Sequence, residues 1–359
     1  MKKISLICIL TFYAFFLISF EGIACTTFCL QDGNRVVFGR NFDFPVGYGH
    51  VVINKRNTTK AAMIRPPEKP FEWTSKFGSV TFNQNGREFP YGGINESGLV
   101  IEQMALNESI YPESDHRYGL TELQWIQYQL DNSASVEEVI ASEKFLRISP
   151  QSVAKLHFLV ADKMGNVATI EFIDGKMVAH TGEGLPVKVL ANDTYKNSMN
   201  YLEDFSGFGG TKDIPVSSAP LDRFVNAAVA LQEFSGEDLI DYSFKILERV
   251  KQEDSSTQWS IVYDLNNLEV YFKTRNNPEL RKFSLQEMDF DCDSPVQYAN
   301  IDEGSTAGKL LFEDFSPEQN EDLINRVWSE VEFLSPLPLE VRKFYADYPM
   351  TLKCEERKL

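Results

Sequence analysis

Hairpin turns set how this chain can be laid out. Asp32-Gly33, Lys163-Met164-Gly165-Asn166, Asp174-Gly175 and Asn266-Asn267 each separate two short apolar runs, and such turns join antiparallel neighbours. The first joins Thr26 to Leu30 with Arg35 to Arg40. The next pair builds a meander of Leu156 to Ala161, Val167 to Phe172 and Met177 to His180, and the last joins Ser260 to Asp264 with Glu269 to Lys273. Val51 to Asn54, Val80 to Phe82, Leu99 to Gln103 and Val187 to Leu190 read as further strands. Helices fall between these blocks in pairs. Leu123, Ile126, Gln127 and Leu130 form one stripe, and Ser135-Val136-Glu137-Glu138 is a capping box opening a second helix. Asp222 to Leu231 and Glu237 to Val250 form the second pair, and Ser316-Pro317-Glu318-Gln319 caps a last helix striped by Leu323, Val327 and Val331. This alternation predicts an α+β fold of two stacked, largely antiparallel sheets with helices outside, not a doubly wound parallel sheet. No Gly/Ser linker interrupts it, so residues 25–359 read as a single domain, with an extension after about Pro295.

The first twenty-four residues read as an address. Lys2 and Lys3 precede the apolar run Ile4 to Phe20, and Gly22 and Ala24 are the small residues at −3 and −1 of a cleavage site. Residues 1–24 are therefore expected to be a secretory signal peptide, which places the protein in the periplasm or outside the cell, with no membrane association after cleavage. Cys25 becomes the first mature residue. Lipid attachment to Cys25, giving an anchored, non-catalytic binding protein, is the alternative; Gly22 argues against it, because lipoprotein signals carry an aliphatic residue there.

Charge and composition narrow the function. With 35 Lys plus Arg against 52 Asp plus Glu, the net charge of −17 disfavours nucleic acid as a partner. The four histidines are not spaced i, i+4 and the five cysteines form no CxxC pair, so no metal is expected. No cofactor motif is present.

A mature N-terminal cysteine carries a thiol nucleophile and an α-amine whose ordinary pKa is about 7.7–8.0. The amine can accept the thiol proton and later protonate a leaving amine. If Asp32-Gly33 is a two-residue turn, Cys25 lies opposite Arg40, on the same face of the sheet. That guanidinium is expected to lower the thiol pKa. Asp43, just beyond, is placed to hold the ammonium.

Cys25-Thr26-Thr27 followed by Gly39-Arg40-Asn41-Phe42-Asp43 resembles the choloylglycine hydrolase and penicillin V acylase family of N-terminal nucleophile hydrolases, the linear-amide C–N hydrolases. Asn95-Glu96-Ser97-Gly98-Leu99, Leu156-His157 with Glu171, Val189-Leu190-Ala191-Asn192 and Asp222-Arg223-Phe224-Val225 continue the likeness in the family's order, over roughly Cys25 to Asn277. The resemblance implies an αββα four-layer sandwich and a small-molecule amide substrate cleaved through a thioester on Cys25. Arg40 and Asp43 would tune and orient Cys25, Asn192 would donate its amide to the oxyanion, and Arg223 would complete the polar network. Homo-oligomers, often tetramers, occur in the family. One departure bears on substrate: Ala105 stands where bile-salt hydrolases place Asn and penicillin V acylases place Tyr. Its backbone N–H can still serve the oxyanion, but its side chain cannot. Glu102 and Gln103 are unusual beside a pocket meant for a sterol. Conjugated bile salts, phenoxyacetyl β-lactams and N-acyl homoserine lactones all stay open as substrates. Phe42, Phe44 and Tyr48 are candidates for an acyl pocket. Cys29 reads as a packed free thiol, and Cys292 and Cys354 as a pair able to bridge in an oxidising compartment and tie down the extension.

Overall fold

The structure, a computed structural model, describes residues 25–252, 256–304 and 308–355; the expected signal segment, 1–24, lies outside the described residues. Two sheets carry the fold. One has six strands in the order Val189–Leu190, Thr26–Asp32, Arg35–Asp43, Thr257–Asp264, Glu269–Thr274, Arg281–Ser284. The other has nine, in the order Lys176–Thr181, Val167–Ile173, Leu156–Ala161, Val100–Ala105, Pro90–Asn95, Ser79–Asn83, His50–Asn54, Gln297–Asn300, Glu313–Asp314. Neighbours in both are antiparallel.

Alternation along the strands sends one set of side chains between the sheets and the other toward helices. Between the sheets, the Phe82 ring meets Trp259, Tyr263 and Phe272 from the facing sheet at centroid distances of 6.2, 6.2 and 5.8 Å. Outside the nine-stranded sheet lies the helix Glu122–Asn132. The Asn95 amide donates to Leu130 O (2.9 Å) and Ser133 O (2.8 Å) at its end. Outside the six-stranded sheet lie the helices Pro220–Glu233 and Leu239–Arg249; the Asn41 amide donates to Leu247 O at 2.7 Å. The layers are helix, sheet, sheet, helix, as the N-terminal nucleophile hydrolase architecture requires.

The short elements were not visible in the sequence pattern. Tyr118–Leu120 and Leu146–Ile148 form a parallel pair, and Thr58–Ala61, Glu72–Thr74 and Lys353–Cys354 form a small third sheet. Strands of two to four residues are too brief to display a period of two. Lys353–Cys354 reaches its partner from the far end of the chain, held by the Cys292–Cys354 disulfide (Cα–Cα 5.4 Å). The helix Tyr195–Leu202 is also new, capped by Thr194, whose hydroxyl accepts from Asn197 N. No helix among the described residues is long and apolar enough to cross a membrane.

The first hairpin corrects an expectation. Its two turn residues are Gly33 and Asn34, so Thr27, not Cys25, stands opposite Arg40. Gly33 has φ +55° and takes the first central position of the turn, where a type II′ turn wants glycine; the Asp32-Gly33 reading had put it second. The pairing is displaced by two residues. Because side chains alternate with a period of two, Arg40 stays on the face of Cys25.

Candidate active site

That parity divides the polar groups around Cys25 into two sets. Arg40 and Phe42 point between the sheets, whereas Asn41 and Asp43 point toward the helices. Cys25 is fully buried, with Arg40 on the inner side of its sulfur (Nη2 to Sγ, 3.9 Å). The thiol faces the Asp43 carbonyl oxygen, also at 3.9 Å. On the outer side, Arg223 from the helix Pro220–Glu233 donates through Nη1 to the Cys25 carbonyl oxygen at 2.7 Å and to the Thr26 hydroxyl. Arg223 Nε donates to Ser218 O (2.9 Å), and Nη1 lies 3.7 Å from Asp43 Oδ2. The Thr257 hydroxyl donates to Asp43 Oδ1.

Burial and charge act against each other on the sulfur. Burial pushes the Cys25 thiol above its ordinary value; Arg40 pulls it down, and Asp43 pushes it up again. The sequence led us to expect a lowered thiol pKa. The guanidinium is where it was expected, but the cost of putting a thiolate in a dry interior exceeds its attraction. Cys29, also buried, is pushed up to about 12 by burial and remains a packed free thiol.

Asn192 joins the same network. Arg223 Nη2 donates to Asn192 Oδ1 at 3.0 Å, and the Asn192 amide donates to Ala105 O at 2.9 Å. Two segments expected to serve an oxyanion, one in each sheet, therefore meet beside the residue that grips Cys25. Asn192 and Ala105 are both half-buried, unlike Cys25 and Arg40.

The aromatic candidates separate. Phe42 and Phe44 are buried, stacked on each other at 5.3 Å, and both touch the Tyr91 ring, at 5.4 and 5.9 Å. Phe42 also packs on Trp259 at 4.4 Å and lies under the Arg40 guanidinium at 4.9 Å. Tyr48 lies elsewhere. Arg326 of the C-terminal helix Pro317–Glu330 sits over its ring at 4.1 Å, and its hydroxyl donates to Glu330 at 3.4 Å. The strand ends at Asp43, and beyond it Tyr48 O accepts from the Gln84 amide (2.6 Å), which directs the segment toward the extension.

Sequence reasoning missed the partners of Arg40. Glu102 is completely buried and forms an ion pair with Arg40 Nη1, while the Tyr263 hydroxyl donates to its other oxygen. Arg40 also donates to Tyr91 O and Gln103 O, both at 3.2 Å. Burial pushes Glu102 up to about 7, against the pull of Arg40 and Tyr263. A signal was present: a lone carboxylate in the apolar strand Val100–Ala105, with Gly92 directly across from it. A Cβ on Gly92 would collide with the Glu102 carboxylate.

Comparison with known proteins identifies the family. The model of the linear amide C–N hydrolases, choloylglycine hydrolase family, matches residues 25–298, beginning at Cys25. A penicillin V acylase of Pectobacterium atrosepticum is 27% identical over 366 residues, covering 88% of this chain and 92% of its own length. A bile salt hydrolase/transferase of Lactiplantibacillus plantarum is 24% identical over 319 residues, covering 76% of this chain and 96% of its own length. Among solved structures, a penicillin V acylase from Agrobacterium tumefaciens superposes with a TM-score of 0.71 at 27% identity, covering 82% of this chain and 98% of its own. A conjugated bile acid hydrolase from Clostridium perfringens shares the fold, with a TM-score of 0.62 at 17% identity over 81% of this chain and 97% of its own. The chain belongs to the choloylglycine hydrolase family of linear amide C–N hydrolases, enzymes that act on non-peptide amides.

Proposed function

We propose that this protein is an exported amidase that uses Cys25 as an N-terminal nucleophile. Removal of residues 1–24 frees the Cys25 nitrogen as an amine. That amine takes the thiol proton, and the sulfur attacks the acyl carbonyl carbon of the bound amide. The oxyanion forms toward the Asn192 amide and the Ala105 N–H. Collapse breaks the C–N bond, and the ammonium of Cys25 protonates the departing amine. The acyl group stays on sulfur as a thioester. The same amine then deprotonates a water, which hydrolyses the thioester to a carboxylic acid and restores the thiol. Arg40 beside the sulfur and Arg223 on the Cys25 carbonyl hold the residue in place, and Asp43, whose carboxylate pairs with Arg223, is the group assigned to orient the ammonium.

The observation that carries this reading is the grip on one residue from two sides. One guanidinium faces the sulfur of Cys25 and another binds its carbonyl oxygen. Such an arrangement fixes a reacting residue and has no value to a passive core cysteine. The Cys292–Cys354 bridge supports export to the periplasm or outside the cell, since disulfides persist in oxidising compartments. For substrate we favour the phenoxyacetyl amide class first, because the penicillin V acylases are matched at higher identity than the bile salt enzyme. The test is amine release from penicillin V, conjugated bile salts and N-acyl homoserine lactones by the processed protein. Cys25→Ala is expected to abolish release with an unchanged far-UV spectrum. Residual activity in Cys25→Ala, or an active enzyme still carrying Met1, overturns the reading.

A further inference from the structure

We propose that Glu102 is a positioning residue that controls how far Cys25 ionises, acting through Arg40. The proposal rests on Cys25 being the reacting group and adds a control on it from the facing sheet.

Arg40 is a cation with no solvent around it. Its Nη1 is engaged by Glu102 and Tyr91 O, and its Nη2 by the Cys25 sulfur and Gln103 O. One positive charge thus serves two groups that can each carry a negative one. A dry interior tolerates a neutral pair and penalises an extra charge. While Glu102 is ionised it neutralises Arg40, and a thiolate has only the Cys25 ammonium formed by its own proton transfer as a fresh counter-charge. When the carboxyl is protonated, the same guanidinium is left to the sulfur. Cys25 and Glu102 therefore titrate as a coupled pair across Arg40.

The carboxylate is held for this task. Tyr263 reaches from the six-stranded sheet to one oxygen, and Gly92, its register partner, leaves room for the other. The groups facing the pair are few. Glu102 faces Arg40 and Tyr263, while Cys25 faces Arg40, Asp43, the buried Tyr91 hydroxyl, its own α-amine once residues 1–24 are removed and, across its carbonyl, Arg223. Burial brings Glu102 to about 7, so its charge changes near neutral pH.

The test follows thiol ionisation without using turnover. Processed protein is labelled with iodoacetamide from pH 5 to 10, and labelling of the Cys25 peptide is followed by mass spectrometry. The Cys29 peptide serves as an internal reference. Glu102→Gln is expected to lower the labelling midpoint by about one pH unit or more, giving roughly tenfold faster labelling on the acid side. Tyr263→Phe removes a donor that favours the ionised carboxylate, so its midpoint should move the same way by less. A midpoint that stays or rises in folded Glu102→Gln protein overturns the proposal. If that variant does not fold, Tyr263→Phe decides: a lower midpoint supports the coupling and an unmoved or higher one overturns it. A shifted midpoint in a protein that cleaves no amide would refute the amidase reading and leave this coupling standing.

Discussion

Asn192 shows how little a side chain's identity says until its neighbours are known. In sequence it sits in Ala191-Asn192-Asp193-Thr194, which is equally good turn chemistry. In the structure its oxygen accepts from Arg223 and its amide donates to Ala105 O. A primary amide has two hydrogens, so one donation to Ala105 is compatible with a second to an oxyanion. Losing one preorganised donor of this kind costs about 2.7–4 kcal/mol of barrier. Asn192→Ala is therefore expected to lower kcat by about 10²–10³-fold with a much smaller change in KM. Steady-state amine release by the processed variant, with an unchanged far-UV spectrum to exclude misfolding, checks this, and a change confined to KM would point to lost substrate binding instead.

Among the elements, the N-terminal hairpin positions the sulfur and the C-terminal extension covers the neighbouring loop. The Trp328 indole donates to Asn85 at 2.8 Å, the Asn85 amide donates to the Tyr91 hydroxyl at 3.2 Å, and the Tyr91 carbonyl accepts from Arg40. Phe333 meets Phe44 edge-on at 6.2 Å. The extension, most of which lies beyond the residues matched by the family model, thus touches the aromatic layer behind Arg40. It is pinned by the Cys292–Cys354 disulfide, which closes a loop of sequence separation 62. In the chain-entropy model a loop of that size is worth about 4 kcal/mol. Cys354→Ser should destabilise by up to that amount, read as a lower urea midpoint under non-reducing conditions. Hydrogen exchange should rise first in Thr58–Ala61, the strand that pairs with Lys353–Cys354. An unchanged midpoint would mean that packing alone holds the extension.

For the molecule as a whole, stability should fall in acid. The His50 ring meets Tyr298 at a tilt of 49°, with centroids 4.7 Å apart, and burial, with Arg326 nearby, lowers it to about 4. An unfolded histidine titrates near 6.5. Between these values the unfolded chain binds the extra proton, so this residue removes stability as pH falls from about 6.5 toward 4. At pH 4.5 the loss is about 2 kcal/mol relative to neutral pH. His50→Gln should lack that component, so the stability difference between the two proteins should shift by about that amount between pH 7.5 and 4.5 in urea titrations. Parallel pH profiles would show that His50 is protonated in the folded protein.

Local chemistry was readable directly from the residues. Turn glycines, cap residues and strand alternation placed the meander, both helix pairs and the helix Pro317–Glu330, which proves not to be the last: Leu339–Asp347 follows it. The five residues Cys25, Arg40, Asp43, Asn192 and Arg223, singled out from motifs spread over the chain, lie in one network. These features depend on residues close in sequence or on a period that any window displays. Other properties depend on which face meets which. Glycine at the first rather than the second turn position set the register that puts Arg40 across from Thr27. The pairing of Arg40 with Glu102 and Tyr263 needs both sheets stacked, because no local pattern links positions so far apart. The direction of the Cys25 pKa needs burial as well as charge, and burial belongs to the assembled layers, not to any stretch of chain.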